Sequence, residues 1–316
     1  MRYLCFFVLV FVLVYLLIPL LIRLAHNIDF CDKPTNRKKQ KEPMPLLGGV
    51  GIYIGFFITY LLFIKTIDKK SFCILISSFL ILIIGIFDDW YKTKGKEFSV
   101  MPRVVVQFIA ILIVYFSGIT FNGFTNPFTY SYIELPEIIS FLLTFTWIFG
   151  LTTVINWSDG VDGLAGTLTA IAGTTLFIVA LAKNQNESAI MAILIVGAVI
   201  GFLKYNKYPA KIYMGDSGAN FLGFMLAIIS LDGAFKQATI MSISIPIIVL
   251  GVPIFDNIYV IIKRILRGRP IYKADSTQIH HRLLSYGFTP REVVQVISVI
   301  SVGLSSVAII IFLLNI

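Results

Sequence analysis

The sequence predicts an all-α integral membrane protein, a polytopic bundle of about ten transmembrane helices with room for an eleventh. Three observations carry this. Of 316 residues, 57 % are hydrophobic and only 14 % are charged, where soluble domains carry about 25 % charged residues. The mean hydropathy is +0.88. Apolar runs of about 20 residues, the length that crosses a bilayer, recur along the whole chain. Little is left between them for a soluble domain, so residues 1–316 are read as one transmembrane unit.

In chain order the runs are 3–23, 46–65, 71–87, 102–119, 138–155, 162–182, 188–204, 217–235, 238–262 and 293–315. The first is too long for the apolar core of a signal peptide, has only Arg2 before it, and is followed by no small-residue cleavage site. The second opens on "PLLGGVG", and the third runs into "IFDDW". The fifth and sixth are joined by "NWSDGVDGLAG", the eighth opens on "GDSGANFLG", and the ninth contains "PIFDNIYV". Cys5, Cys31 and Cys73 form no C-x-x-C pair and no zinc spacing, so they are read as structural.

Orientation follows from Lys and Arg. Alternating the ends of the runs gives two sets of loops. One set comprises about 24–45, 88–101, 156–161, 205–216 and 263–292 with the adjoining helix ends. The opposite set holds six basic residues (Arg2, Lys65, Lys69, Lys70, Lys183 and Lys236), leaving 20 of the 26 Lys and Arg on the first. The first set is therefore cytoplasmic and both termini point outward. Positive-inside bias alone accounts for this much.

It does not account for the acids, which contribute little to orientation. Twelve of the 17 Asp and Glu share the basic face. Asp88, Asp89, Asp159, Asp162, Asp216 and Asp256 sit at or just within the membrane boundary. Ionisable groups at that depth are costly and usually line a functional cavity. A single one is compatible with a helix cap, but six on one face are not readily explained that way.

Three helices start on this face with glycine: Gly48 and Gly49, Gly163, and the "GDSG" around Asp216. A helix N-terminus offers free N–H groups and partial positive charge, and glycine lets a ligand come close, which together favour phosphate. Close helix packing through small residues is the competing explanation. Carboxylates repel phosphate unless a divalent cation binds both, and Mg²⁺ takes one or two carboxylates plus substrate phosphates. The expected ligand is thus a di- or polyphosphate with Mg²⁺ or Mn²⁺. The basic loop "KRILRGRPIYKADSTQIHHRL" adds Arg264, Arg282, His280 and His281 as phosphate donors, and "DKPTNRKKQKEPMP" adds Arg37.

These segments resemble the polyprenyl-phosphate N-acetylhexosamine-1-phosphate transferases, glycosyltransferase family 4. The resemblance runs from Asp32 to about Leu284 and rests on "DKPTNRKKQKEPMPLLGG", "FDDW", "NWSDGVDGLAG", "MGDSGANFLG", "PIFDNIYVIIKRILRGRP" and "IHHRL", in the family's order. It is closest to the branch acting with undecaprenyl phosphate and N-acetylglucosamine. It implies attack of undecaprenyl phosphate on the β-phosphorus of a UDP-N-acetylhexosamine, with UMP leaving, as the first membrane step of an O-antigen, teichoic-acid linkage or similar glycan.

By the same resemblance, Asp88 and Asp89 position or deprotonate the lipid phosphate, and Asp216, with Asp159, ligates the metal. Asn156, Asp159 and Asp162 belong to the nucleotide and metal pocket, Tyr213 stacks on uracil, and His280 and His281 contact the diphosphate. The implied setting is the bacterial cytoplasmic membrane, with the site on the cytoplasmic face. The partners are the UDP-sugar, the polyprenyl phosphate and the bilayer. Nucleic acid is not among them, and a homodimer is left open. Gln40 and Gln278 stand where the family usually has His. UDP-MurNAc-pentapeptide and UDP-GalNAc are alternative donors. An ion-coupled transporter is the alternative of another class, although transporters place such groups at the bilayer midplane in repeated halves.

Overall fold

The computed structural model describes residues 1–34, 42–64, 68–126, 129, 131–233, 240–270 and 276–314. Its elements are α1 (Arg2–Asn27), β1 (Cys31–Asp32), β2 (Met44–Pro45), α2 (Gly48–Phe63), α3 (Lys69–Thr93), α4 (Val100–Phe116), β3 (Gly123–Thr125), β4 (Tyr132–Glu134), α5 (Glu137–Ser158), α6 (Leu164–Ala182), α7 (Asn186–Asn206), α8 (Gly215–Gly233), α9 (Ile240–Val249), α10 (Gly251–Leu266), α11 (Ile279–Ser285) and α12 (Pro290–Leu313). The molecule is a helical membrane protein. Among the described residues, α1, α3, α5, α6, α7 and α12 are long and apolar enough to cross a bilayer, and α2 and α4 are shorter apolar helices. Two antiparallel ladders, β1–β2 and β3–β4, were not expected.

Local chemistry sets the ends. Asp68 caps α3 by accepting the Ser71 N–H at 2.8 Å. Thr289 and Glu292 cap each other's backbone at the start of α12, with Pro290 in the first turn. The expected single span 238–262 is two helices, α9 and α10, meeting at Leu250. Pro246 lies inside α9 and Gly251 opens α10, so the stretch carries both a missing donor and a weak helix former.

The outer helices bury one stripe each. In α1 it is Phe6, Val10, Val14, Ile18, Leu21 and Ala25, spaced at three to four residues, while Leu4, Leu16 and Leu20 face outward. That stripe meets Gly51 and Gly55 of α2 and Gly197 and Gly201 of α7, whose missing side chains let the backbones approach. At the centre stands α8, enclosed by α2, α3, α5, α6 and α7. Every residue of α8 except Asp216 is buried. Protein rather than lipid surrounds it, so it can carry Asp216, Asn220, Ser230 and Asp232.

Candidate active site

The acid cluster forms where helix ends converge on α8. The expected loop 88–101 begins later than the sequence suggested, because α3 continues to Thr93 and carries Asp88, Asp89 and Lys92 on its last turns. Asp216 lies in the first turn of α8, and Asn156 and Asp159 lie at the end of α5.

The two adjacent aspartates do different work. Buried Asp89 accepts the backbone N–H of Asp216 at 2.8 Å and of Ser217 at 3.1 Å, satisfying two orphan donors of the α8 N-terminus. Asp88 instead faces side-chain cations, Arg103 at 3.2 Å and Lys92 at 3.5 Å. Lys92 reaches Asp216 at 2.7 Å, and Arg103 lies 3.9 Å from the same carboxylate. Asn156 is a further polar neighbour of Asp216. The negative cluster is therefore balanced by cations from α3 and α4, neither of which was singled out from the sequence. Lys92 had a signal in its i, i+4 spacing from Asp88, once the helix is known to continue that far. Arg103, fifteen residues from Asp88, had none.

Asp159 ends α5 facing this cluster. Burial pushes its carboxyl up to about 7, with the Asp216 carboxylate adding to the effect and Lys92 opposing it. Asp162, in the turn that follows, accepts the Ala210 N–H at 3.0 Å; burial raises its pKa against that bond. The Tyr213 phenol is raised first by burial and then by the carboxylates of Asp162, Asp32 and Asp159. Buried Asp32 on β1 thus belongs to this neighbourhood, another residue not singled out beforehand.

The glycines differ from expectation. The Gly163 N–H donates to Asn206 Oδ1 at 3.0 Å, and its φ of +80° needs glycine for conformation. Gly48 and Gly49 donate to the carbonyls of Tyr213 at 3.1 Å and Met214 at 2.9 Å. A methyl on Gly49 would lie 2.5 Å from the Gly218 Cα. None of these three N–H groups points freely at a ligand: Gly48 and Gly49 bring α2 against the start of α8, and Gly163 joins the start of α6 to the end of α7.

The second group sits on α11. Asp256 of α10 takes the Ile279 N–H on both carboxylate oxygens, each at 2.9 Å, and pairs with Arg282 at 3.1 Å. Arg264 is buried over the Trp157 ring, 4.7 Å from its centroid. Gln278 Nε2 donates to the Trp157 carbonyl at 3.4 Å. These contacts press α11 onto the turn after α5, where a methyl on Gly160 would lie 2.9 Å from His280 Cδ2. His280 is 1 % exposed, and its Nε2 has no hydrogen-bond partner. Burial, then neighbouring His281, holds its imidazole down at about 3, so it is neutral at pH 7. The His280 and His281 rings lie 4.3 Å apart. Arg37 and Gln40 fall outside the described residues.

The donor set suits Mg²⁺ or Mn²⁺ in type, being carboxylate and amide oxygens from Asp88, Asp159, Asp216 and Asn156. Among the described residues no three His, Cys, Asp or Glu side chains form a ready-made metal cage. Mg²⁺ needs only one or two protein carboxylates and completes its shell with substrate phosphates and water.

Comparison with known proteins bears on this arrangement. Residues 71–234, which span α3 to α8, match the model of glycosyl transferase family 4. The chain is 38 % identical over 278 residues to the "Probable undecaprenyl-phosphate N-acetylglucosaminyl 1-phosphate transferase" of Bacillus subtilis (strain 168), covering 88 % of this chain and 76 % of that protein. It is 28 % identical over 286 residues to the phospho-N-acetylmuramoyl-pentapeptide-transferase of Clostridium acetobutylicum, covering 88 % and 87 %. It is also 28 % identical over 305 residues to the decaprenyl-phosphate N-acetylglucosaminephosphotransferase of Mycobacterium leprae (strain TN), covering 87 % and 75 %. The matched segment contains the ends of α3, α5 and α8 that meet at Asp216, and the chain belongs to glycosyl transferase family 4.

Proposed function

We propose that this protein transfers N-acetylglucosamine 1-phosphate from UDP-N-acetylglucosamine to undecaprenyl phosphate, releasing UMP, as the first membrane step of a cell-surface glycan. The observation that carries the reading is the convergence of Asp88 and Asp216 on Lys92 and Arg103 at one end of a membrane bundle. A lipid phosphate in the bilayer and a nucleotide from the cytosol both reach such a boundary. The similarity to the Bacillus subtilis transferase favours N-acetylglucosamine over the muramoyl-pentapeptide donor, which remains the second reading. Membership in a transferase family argues against the ion-coupled transporter.

Transfer between phosphates depends on positioning and charge neutralisation more than on covalent help. The second pKa of a phosphate monoester is about 6, so the attacking oxygen is mostly deprotonated at neutral pH. Asp88 orients the lipid phosphate through Arg103 and Lys92. Asn156, Asp162 and Tyr213 bind the nucleotide, with Tyr213 stacking on uracil. His280, His281 and Arg282 contact the diphosphate, where neutral His280 donates a hydrogen bond. Arg264, packed on Trp157, holds α11 near them. Asp216 and Asp159 would hold Mg²⁺ or Mn²⁺, which when bound would supply charge neutralisation for the diphosphate.

We read ten crossings, α1 to α8, the broken pair α9–α10, and α12. The acid cluster then faces the cytoplasm of a bacterial cell, with both termini outside. The test is incubation of the purified protein in lipid with undecaprenyl phosphate, Mg²⁺ and radiolabelled UDP-GlcNAc, UDP-GalNAc or UDP-MurNAc-pentapeptide. Lipid-linked label with equimolar UMP is expected from UDP-GlcNAc. Product from only another donor moves the sugar assignment, and none from any donor refutes the reading.

A further inference from the structure

A second charged network lies at the opposite end of α8, where no role has been assigned. Lys70, near the start of α3, pairs with Asp232 of α8 at 2.7 Å and with Glu187 of α7 at 3.0 Å. The Ser188 hydroxyl donates to the other Asp232 oxygen at 2.7 Å. The Asp232 and Lys70 side chains are only 9 % and 19 % exposed, unlike the freely exposed surface pairs that contribute little.

The placement of polar bonds along the α3–α8 pair is informative. These helices run antiparallel, and among the described residues their hydrogen bonds and ion pairs to each other fall at the two ends. At one end Asp89 holds the Asp216 and Ser217 N–H groups and Lys92 holds Asp216. At the other end Lys70 holds Asp232. Between them, Ser77 and Ser78 donate to carbonyls of their own helix, Cys73 at 2.7 Å and Ile74 at 2.6 Å. Gly85 presents no side chain to Ser217, whose N would lie 2.6 Å from an added methyl. The middle of the contact therefore has no polar bond to resist sliding. A clamp at each end, roughly 24 Å apart along α8 at 1.5 Å per residue, fixes its axial position.

We infer that Lys70 and Asp232 are positioning residues: their largely shielded ion pair sets the register of α8 against α3 and so places Asp216 relative to Asp88, Asp89 and Lys92. The catalytic consequence rests on the function proposed above; the register itself does not. Ser188 and Glu187 bring α7 into the same clamp, and Asn186 beside them accepts the Tyr3 hydroxyl of α1 at 2.8 Å.

Hydrogen exchange at the Asp216 and Ser217 amides reads the register directly, because both bond to Asp89. The test compares the full chain in lipid nanodiscs with Lys70→Met, Asp232→Glu and Lys70→Arg, below the melting temperature of each. Asp232→Glu keeps the charge and changes only the length of the pin, so it decides the matter if Lys70→Met fails to fold. Exchange at Asp216 and Ser217 is expected to rise about tenfold in Lys70→Met and Asp232→Glu, with α6 unchanged. kcat is expected to fall about tenfold or more, because small misplacements at a reacting centre are costly. Lys70→Arg should preserve both. Exchange at Asp216 and Ser217 that stays at the parent rate, or rises only in step with the whole bundle, overturns the inference. A parent without transferase activity sinks the proposed function but leaves the exchange result to judge the register.

Discussion

Asp88 and Asp89 are adjacent and chemically identical, yet the structure predicts that removing their charges has different consequences. Asp89 holds two backbone N–H groups of α8 in a buried setting, at 2.8 and 3.1 Å. Hydrogen bonds to a charged group contribute about 1.5–3 kcal/mol each. An asparagine keeps one acceptor oxygen but turns a second donor toward the other N–H. Asp89→Asn should therefore cost about 3 kcal/mol, at most about 6–12 °C in Tm, the shift that scaling gives for smaller chains. Asp88 makes longer contacts to Arg103 and Lys92, both of which also reach Asp216. Asp88→Asn leaves Lys92 paired with Asp216 at 2.7 Å and uncaps no helix, so its stability cost should be smaller than that of Asp89→Asn although Asp88 is itself buried. Its transferase activity should fall by about a hundredfold or more, the scale for loss of a positioned charged group. Thermal unfolding of each variant in detergent, followed by size-exclusion fluorescence, gives the Tm values, and radiolabelled product gives the rates. If Asp89→Asn melts with the parent, or Asp88→Asn is the less stable of the two, the division into cap and site charge is wrong.

Asp216→Asn should insert and fold but lose activity by several orders of magnitude. Turnover should cease in excess EDTA and return with Mg²⁺; full turnover in EDTA would refute the metal assignment. Gly163→Ala should lower Tm, since an L-residue in the left-handed region costs about 1–2 kcal/mol, while the KM for UDP-sugar stays within about twofold in keeping with an N–H bonded to Asn206. A raised KM at parental Tm would restore the phosphate-cradle reading. Gln278→His should retain activity within about tenfold, roughly 1.4 kcal/mol of barrier, because an imidazole N–H can replace the amide donor to the Trp157 carbonyl. A larger loss would show that this pocket is built around the amide.

By itself the sequence determined the solvent and the chemical class. Apolar runs repeat at bilayer length because lipid cannot satisfy a bare backbone, and the runs fall on the helices except where α9 and α10 divide the ninth. The acids were legible as a group because carboxylates at a membrane boundary are costly enough to need a reason. Partners were not legible. Lys92 and Arg103 reach Asp216 from different helices, and Asn206 meets Gly163 across 43 residues, a contact that no local spacing encodes. The roles of the glycines were also undecided in one dimension, since a glycine that admits a ligand and one that admits a neighbouring backbone look alike. Tertiary packing chose the second at Gly49, where the Gly218 backbone occupies the space a side chain would need. It likewise separated Asp89 from Asp88, because successive residues of a helix point about 100° apart, one toward the α8 N-terminus and the other toward the cations.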